Sequence, residues 1–88
     1  MKISVRVINR LGLHARAAAK LVNLASRFEA DIKVRKGDQT VSGKSIMGVM
    51  MLAAARGTDL VLIAEGRDAQ AALDALAELV ADRFGEQV

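Results

Sequence analysis

The feature that most restricts the fold of this chain is the way its apolar residues change spacing. Near the start, Ile3, Val5 and Val7 alternate with polar residues, a period of two that predicts a strand with one buried face. From Ala15 the apolar positions follow a spacing of three and four, which predicts an amphipathic helix. A layer of helices packed on a half-buried sheet satisfies both patterns.

The same alternation continues through the middle of the chain. The first helix closes over Ser26–Glu29, and an alternating strand follows at Asp31–Arg35. A turn at Lys36–Gln39 leads into a short returning strand at Thr40–Ser42, which predicts a hairpin. The apolar stripe of the first helix consists of Ala18, Leu21, Val22, Ala25 and Phe28.

The second half adds a helix, a strand and another helix. Ser45 is placed to cap the second helix, which we expect to run to about Ala54 before Arg56-Gly57 stops it. The continuous apolar run Leu60–Ala64 predicts a central, covered strand. Asp68 is expected to cap the last helix. The core stripe of that helix consists of Ala72, Leu73, Leu76, Leu79, Val80 and Phe84.

The resulting order, βαββαβα, predicts an α+β fold in a single domain covering residues 1–88. Four strands and three amphipathic helices are most simply arranged as an antiparallel sheet with all three helices on one face. Polar residues in the first three strands indicate that the other face is open. At 88 residues the chain is shorter than the common domain size of about 100–150, which leaves little room for a deep cleft.

Composition excludes several classes of protein. The chain has no cysteine and one histidine, so we expect no disulfide, no metal site and no cofactor. The longest apolar run, Ile46–Ala55, is far shorter than the roughly 20 residues that span a bilayer. The N-terminal segment lacks the apolar centre of a signal peptide. We therefore expect a cytoplasmic protein without membrane insertion.

Charge is distributed unevenly around a net value of +3. Ten of the thirteen basic residues precede Ile46, whereas the segment from Asp59 onward is mainly acidic. A basic half suits an acidic partner, a phosphate or a nucleic acid, although a solvated surface of mixed charge accounts for the same pattern. Nucleic-acid binding is disfavoured because RNA-binding sheets rely on stacked aromatic side chains, and this chain has only Phe28 and Phe84.

The only histidine, His14, lies directly before the first helix in the stretch Gly12–Ala18, GLHARAA. Amides at a helix start have no intrahelical partner and attract an anion, and the Arg16 guanidinium suits phosphate oxygens. An isolated histidine is more often an ordinary polar residue at the end of a loop. The position favours instead a ring nitrogen that carries a phosphoryl group, held by the backbone amides of Ala15, Arg16 and Ala17.

The second helix carries another candidate site and an apolar surface. Ser45 is explained by its position as a helix cap, which is typically worth about 1 kcal/mol. Nearly every following residue is apolar, and a short helix on a sheet buries only part of its circumference. Val49 and Leu52 share a face and are assigned to the core. The remaining residues predict an exposed docking patch rather than core filling, and they are Ile46, Met47, Met50 and Met51.

Two of these segments resemble signatures of a known family. Gly12–Ala18 resembles the GLHxRPA signature of the histidine-containing phosphocarrier (HPr) family of the bacterial sugar phosphotransferase system. Gly43–Ala54, GKSIMGVMMLAA, is similar to the family's second signature, around a regulatory serine. The order of elements agrees with that family's open-faced β-sandwich, so the resemblance covers essentially the whole chain. The chain departs from the family at Ala17, which stands in place of a proline, and at Leu11, where many members have a small polar residue.

The resemblance implies a phosphoryl carrier with no turnover of its own. His14 would accept a phosphoryl group on Nδ1 from enzyme I, which takes it from phosphoenolpyruvate, and would pass it to a histidine of an enzyme IIA domain. Ser45 would be the target of an ATP-dependent HPr kinase/phosphorylase. The partners would dock in turn on a monomer, through Arg16, Lys20 and the apolar patch. We expect Ala17 to be tolerated and its amide to help hold the phosphate.

Other interpretations of the resemblance stay open. A regulatory carrier in a nitrogen-related phosphotransferase chain would share the His14 chemistry without moving sugar, and the apolar Leu11 is somewhat more typical of that branch. A small nucleic-acid-binding module is the remote alternative. A relative that acts only through Ser45 is disfavoured because His14 and Arg16 are both present.

Overall fold

The computed structural model describes all 88 residues and shows a four-stranded sheet with three α-helices on one face. The strands are β1 (Lys2–Arg6), β2 (Asp31–Lys36), β3 (Gln39–Ser42) and β4 (Asp59–Glu65). The helices are α1 (Ala15–Ala25), α2 (Ile46–Met51) and α3 (Ala69–Ala81), and a short 3₁₀ turn follows at Arg83–Gly85. The predicted α+β class and the order βαββαβα are confirmed.

The sheet has the strand order β1-β4-β2-β3, and every neighbouring pair is antiparallel. β4 is central, as its continuous apolar sequence predicted, and Leu62 lies opposite Ile3 on one side and Val34 on the other. The predicted hairpin of β2 and β3 is also confirmed. Only one face of β4 is fully covered, because Leu62 is buried whereas Val61 and Ile63 are half-buried on the open face.

The hydrophobic core lies between the inner face of the sheet and the helices. Leu60 and Leu62 of β4 meet Leu21 of α1 and Leu76 of α3, all without accessible surface. On α2, Val49 and the following Leu52 are buried, as predicted. Ile3 is 37% exposed, although its alternating pattern predicted a buried position. It lies on β1, an edge strand that pairs only with β4, so one flank of Ile3 stays open to solvent.

Two helices end earlier than the sequence predicts. α1 ends at Ala25, and the predicted stripe residue Phe28 is half-buried in the following turn, where its carbonyl accepts from the Lys44 ammonium at 2.7 Å. α2 ends at Met51 because Ala53 turns left-handed at φ 50°. The Lys36 ammonium donates to the carbonyl of Leu52 at 2.8 Å. Lysines from other segments therefore bind carbonyls that lie just beyond the end of each helix.

The two predicted N-caps behave differently. The Ser45 hydroxyl accepts from the Gly48 amide at 3.0 Å, so this cap is confirmed. Asp68 precedes α3 but does not cap it, and its carboxylate accepts instead from the amides of Glu29 at 2.9 Å and Ala30 at 2.8 Å. These bonds, first of all the one from Glu29, lower the pKa of Asp68. The aspartate thus fastens the connection between α1 and β2 to the start of α3.

Phe84 also lies outside the helix to which the sequence assigned it. Its side chain is fully buried, as expected of a core residue, but it lies beyond the end of α3 in the 3₁₀ turn. The backbone of Arg83, Phe84 and Gly85 is left-handed, with φ of 57°, 55° and 78°. This turn ends the helix and redirects the last residues toward the start of α1.

No helix in the chain has the length and apolarity needed to cross a membrane.

Candidate functional site

A tightly packed loop places His14 at the start of α1. Gly12 has a φ of +66°, and a Cβ at this position would lie 2.5 Å from the carbonyl oxygen of Ala54. The next amide, that of Leu13, donates to the same carbonyl at 2.9 Å. Only glycine fits this approach to the segment after α2. The imidazole of His14 follows at the N-cap position of α1, as predicted, and makes no side-chain capping bond.

Asn9 holds the loop from the inside. This residue is fully buried, and its Nδ2 donates to the Gly12 carbonyl at 2.8 Å and to Glu86 Oε1 at 3.0 Å. The Oδ1 of the same amide has no hydrogen-bond partner. The bond to Glu86 joins two residues that are 77 positions apart in the sequence. Asn9 therefore connects the loop before His14 to the C-terminal segment.

Glu86 connects that segment to the imidazole itself. Its Oε2 contacts Nε2 of His14, and the two side chains are 17% and 29% exposed respectively. The hydrogen bond from Asn9, and after it the one from His14, lowers the pKa of Glu86. A carboxylate beside Nε2 favours the tautomer that carries its proton there. The lone pair of Nδ1 is then free, and no protein group hydrogen-bonds to this nitrogen.

The left-handed turn after α3 makes this contact possible. Phe84 anchors the turn in the core, and its carbonyl accepts from the Lys20 ammonium at 2.7 Å. Two residues beyond Phe84, Glu86 reaches His14, and the Val88 carbonyl accepts from the Arg10 amide at 2.9 Å. Lys20, which the sequence predicted as a docking residue, is thus bonded within the chain.

The start of α1 offers unbonded amides beside the imidazole. The first amide of the helix with an acceptor is that of Ala18, which donates to the His14 carbonyl at 2.9 Å. The amides of Ala15, Arg16 and Ala17 have none, and the first turn has no acidic residue to offset their partial positive charge. Ala15 and Arg16 are exposed, whereas Ala17 is completely buried. The Arg16 side chain forms no ion pair. This end of α1 is therefore suited to an anion.

The apolar patch predicted on α2 is exposed. Met47 and Met51 are 75% and 66% accessible, and the other two members are each 42% accessible. These four residues alone line a shallow depression of about 540 Å³, and they are Ile46, Met47, Met50 and Met51. Ser45 is half-buried at the start of the same helix, and no hydrogen bond joins it to the His14 site.

Comparison with known proteins identifies the family. The family model described as "PTS HPr component phosphorylation site" matches residues 1–82. The chain belongs to the HPr family. It is 54% identical over 80 residues to phosphocarrier protein HPr from Cupriavidus necator, which covers 91% of this chain and 90% of the relative. Phosphocarrier protein NPr from Shewanella violacea is 46% identical over 82 residues, covering 93% and 90%.

Solved structures agree with this membership. HPr-C-His from Thermoanaerobacter tengcongensis matches the HPr-family chain with a TM-score of 0.96 and 41% identity, over 100% of this chain and 99% of the other. An HPr dimer from the same organism matches with a TM-score of 0.80 and 43% identity, over 96% and 97%. The HPr-like fold expected from the sequence is confirmed. The general role that follows from the family is that of a phosphocarrier in the phosphotransferase system.

Two residues of this HPr-family site were not singled out from the sequence. In the sequence, Asn9 is only a polar residue shortly before Gly12, and Glu86 is only one of several acidic residues in the C-terminal segment. Glu86 is 72 residues from His14, so no local spacing could relate them. The only signal available for Asn9 was its place in a turn just before a glycine.

Proposed function

We propose that His14 is the phosphoryl-accepting residue of this HPr-family chain. The phosphoryl group would come from phosphorylated enzyme I, which takes it from phosphoenolpyruvate, and would pass to a histidine of an enzyme IIA domain. The observation that carries the proposal is the setting of the imidazole, with Nε2 held by Glu86 and Nδ1 free beside the unbonded amides of α1. The partly exposed ring is accessible to one partner after another.

The transfer step uses each of these groups. The Nδ1 lone pair attacks phosphorus while the bond between phosphorus and the donor nitrogen breaks, and the electron pair of that bond stays on the donor. The ring gains positive charge as the new bond forms, and its Nε2 proton remains on the hydrogen bond to Glu86. The carboxylate therefore stabilises charge that develops during transfer. Transfer to enzyme IIA is the same step with His14 as the donor.

The phosphoryl oxygens would be held by the start of α1 and by Arg16. Ala15 and Arg16 are exposed residues whose amides have no acceptor, and the guanidinium can bind two oxygens at once. The buried amide of Ala17 needs a small adjustment of the first turn to take part. It has no acceptor, so proline in its place removes no hydrogen bond. We expect phospho-His14 to hydrolyse faster in Ala17→Pro than in the wild type, and a shorter wild-type half-life would contradict a role for this amide.

A labelling experiment tests the proposal. Incubation with enzyme I and phosphoenolpyruvate should give a phosphate that is labile in acid and stable in base. His14→Ala should remove it, whereas the matched control Ser45→Ala should retain it. Heteronuclear NMR of the ¹⁵N-labelled product should place phosphorus on Nδ1. Label retained in His14→Ala, or phosphorus found on Nε2, would refute the assignment.

Ser45 would be the regulatory site, modified by an ATP-dependent HPr kinase/phosphorylase. Its hydroxyl lies at the start of α2, where a phosphate is electrostatically favourable to the helix. The phosphate would place about two negative charges beside the apolar patch and oppose docking of enzyme I. Incubation with the kinase and ATP should give an acid-stable phosphate that is lost in Ser45→Ala and kept in His14→Ala. Kinase labelling that persists in Ser45→Ala would reject this site.

The docking surface would combine Arg16, Lys20 and the apolar patch. Arg16→Glu and Met47→Asp should each weaken binding of enzyme I while leaving the thermal transition unchanged, because both side chains are exposed. Lys20→Glu should also weaken binding, but it releases the bond to Phe84 as well. Lys33→Glu, on the open face of the sheet, changes the net charge by the same amount as Arg16→Glu and is the control for that variant. Affinity for enzyme I equal to that of the wild type in both Arg16→Glu and Met47→Asp would rule out this surface.

A regulatory carrier in a nitrogen-related phosphotransferase chain is the second candidate function. It is favoured by the 67% exposure of Leu11 before the signature glycine, and by the similarity to a carrier named NPr. Phosphorylation rates with enzyme I from the sugar branch and from the nitrogen-related branch should differ and so separate the two. We propose a cytoplasmic monomer, and light scattering during size exclusion would test the oligomeric state.

A further inference from the structure

An arginine-lined cavity lies beside the His14 site, and the proposed phosphoryl transfer uses none of the residues that line it. It has a volume of about 670 Å³, within the range of small-molecule sites. Its walls come from the end of β1 with the following loop, from the segment before β4 and from the residues around the turn after α3. The residues that give it its chemistry are Arg6, Arg10, Arg56, Arg83, Gln87 and Val88.

Three of the four guanidinium groups have no carboxylate partner. Arg6 is paired with Asp59, with Nε and Nη2 donating to the two carboxylate oxygens at 2.8 and 3.2 Å. Arg10, Arg56 and Arg83 form no ion pair and no side-chain hydrogen bond, and all three are exposed at the cavity. Positive charges gathered at one concave surface raise the local positive potential. An anionic ligand bound there would reduce the repulsion between them.

Main-chain hydrogen bonds hold the backbone around the cavity, so these arginines project from preorganised segments. The amide of Val7 donates to the Thr58 carbonyl at 2.9 Å, and the amide of Gly57 donates to the Val7 carbonyl at 2.7 Å. The main-chain amide of Arg10 donates to the Val88 carbonyl at 2.9 Å. Two strand connections and the C-terminal segment are therefore held together before any ligand binds, which reduces the ordering cost of binding.

We propose that this cavity binds a small molecule carrying two linked phosphate groups. Three unpaired guanidinium groups provide more donors than one phosphate needs, and each matches phosphate oxygens in bidentate fashion. The apolar contribution of Val7, Ile8 and Val88 leaves room for a further non-phosphate group. The lining has no aromatic side chain on which nucleic-acid bases would stack, so a single-stranded nucleic acid is not the occupant.

The cavity and the His14 site share their supporting segments. Two of the lining residues are chain neighbours of that site: Arg10 follows Asn9, which holds the loop before His14, and Gln87 follows Glu86, which contacts the imidazole. A ligand that draws on Arg10 and Gln87 should therefore also change the environment of Asn9 and Glu86. The proposal does not rest on His14 being phosphorylated.

Titration of the ¹⁵N-labelled chain with pyrophosphate, followed by amide NMR shifts, tests the proposal. We expect saturable shifts at Arg10, Gly57 and Gln87, with ADP giving the same pattern and adenosine none. Arg10→Gln/Arg56→Gln should weaken pyrophosphate binding about tenfold or more, since two bidentate contacts are lost. The control Arg27→Gln/Arg67→Gln has the same net charge, and its affinity should stay within twofold of the wild type.

Outcomes at the two anion sites are distinguishable. Pyrophosphate shifts confined to Ala15–Ala17, or equal weakening in both double variants, would overturn the cavity proposal. His14→Ala should leave the shifts at Gly57 unchanged, so a failure of the His14 assignment does not affect the result. Thermal unfolding of each double variant, expected to match the wild type because the substituted side chains are exposed, excludes loss of fold as the cause.

Discussion

Replacing Gly12 by alanine tests whether the loop before His14 is held by its contact with the segment after α2. Gly37 provides a matched control, because the two glycines have similar φ angles of +66° and +57°. A Cβ at Gly12 would lie 2.5 Å from the Ala54 carbonyl oxygen and 3.0 Å from the Ala55 Cα, whereas one at Gly37 would meet nothing within 4 Å. The two substitutions thus share the conformational cost and differ in the steric one.

The expected free-energy changes follow from these two contributions. A left-handed alanine costs roughly 1–2 kcal/mol, and the lower entropy of the unfolded chain returns about 0.4–1 kcal/mol. Gly37→Ala should therefore destabilise the fold by about 1 kcal/mol. Gly12→Ala adds the displacement of backbone at Ala54, comparable to overpacking at about 1–3 kcal/mol. Its total of about 2–4 kcal/mol corresponds to a fall in Tm of roughly 8 °C or more for a chain of this size.

Urea denaturation of the two variants measures the difference directly. Phosphorylation of His14 by enzyme I should also slow in Gly12→Ala and not in Gly37→Ala, because only the first moves the loop that places the imidazole. The denaturation slopes should match the wild type if both variants keep the same folded surface. Destabilisation of the two variants that agrees within about 0.5 kcal/mol would refute the steric argument.

Three further predictions concern the ends of the helices. Ser45→Ala should lower the free energy of unfolding by about 1 kcal/mol, because the Gly48 amide loses its acceptor, and Ser45→Asp should retain most of it. Ala53→Gly should raise that free energy by about 0.5–1 kcal/mol, since φ is 50° at Ala53, whereas Ala55→Gly should lower it; urea denaturation of both decides the sign. The lowered pKa of Asp68 means that its carboxylate stabilises the fold above the unfolded-state value of about 3.9 and loses this effect as pH falls through the lower folded value. The Tm of Asp68→Asn should therefore depend less on pH below about 5 than that of the wild type, and a profile parallel to the wild type, with Asp38→Asn as control, would contradict this.

The sequence predicted the order of elements because each strand and helix has its own period of apolar residues. It failed at the helix ends, where the deciding groups come from elsewhere in the chain. The ammonium groups of Lys36 and Lys44 bind the carbonyls of Leu52 and Phe28, which lie just beyond the last residues of α2 and α1. Asp68 shows the same limit. Its sequence position predicts a cap of α3, but its carboxylate accepts instead from two amides of the α1–β2 connection, which are 38 and 39 residues away.

The same difference between local patterns and long-range contacts decides how much of the candidate site could be predicted. His14 and the amides of Ala15–Ala17 could be predicted because a helix start is a local structure that sequence spacing reveals. Their partners could not, since Asn9 and Glu86 come together only after α3 packs and the left-handed turn at Arg83–Gly85 returns the chain. No pattern in the sequence predicts that turn or the positive φ angles of its two non-glycine residues.

The long-range origin of the Glu86 contact links the chemistry of His14 to the integrity of the whole fold. Three separate segments place Glu86: Phe84 is buried in the core, Lys20 donates to the Phe84 carbonyl, and Asn9 donates to the Glu86 carboxylate. We expect the loss of any one of them to weaken the Glu86 contact, and so to free the imidazole to change tautomer and orientation. Under the proposed function, binding of a phosphate at α1 would depend on one helix, whereas reaction at Nδ1 rather than Nε2 would depend on the folded chain.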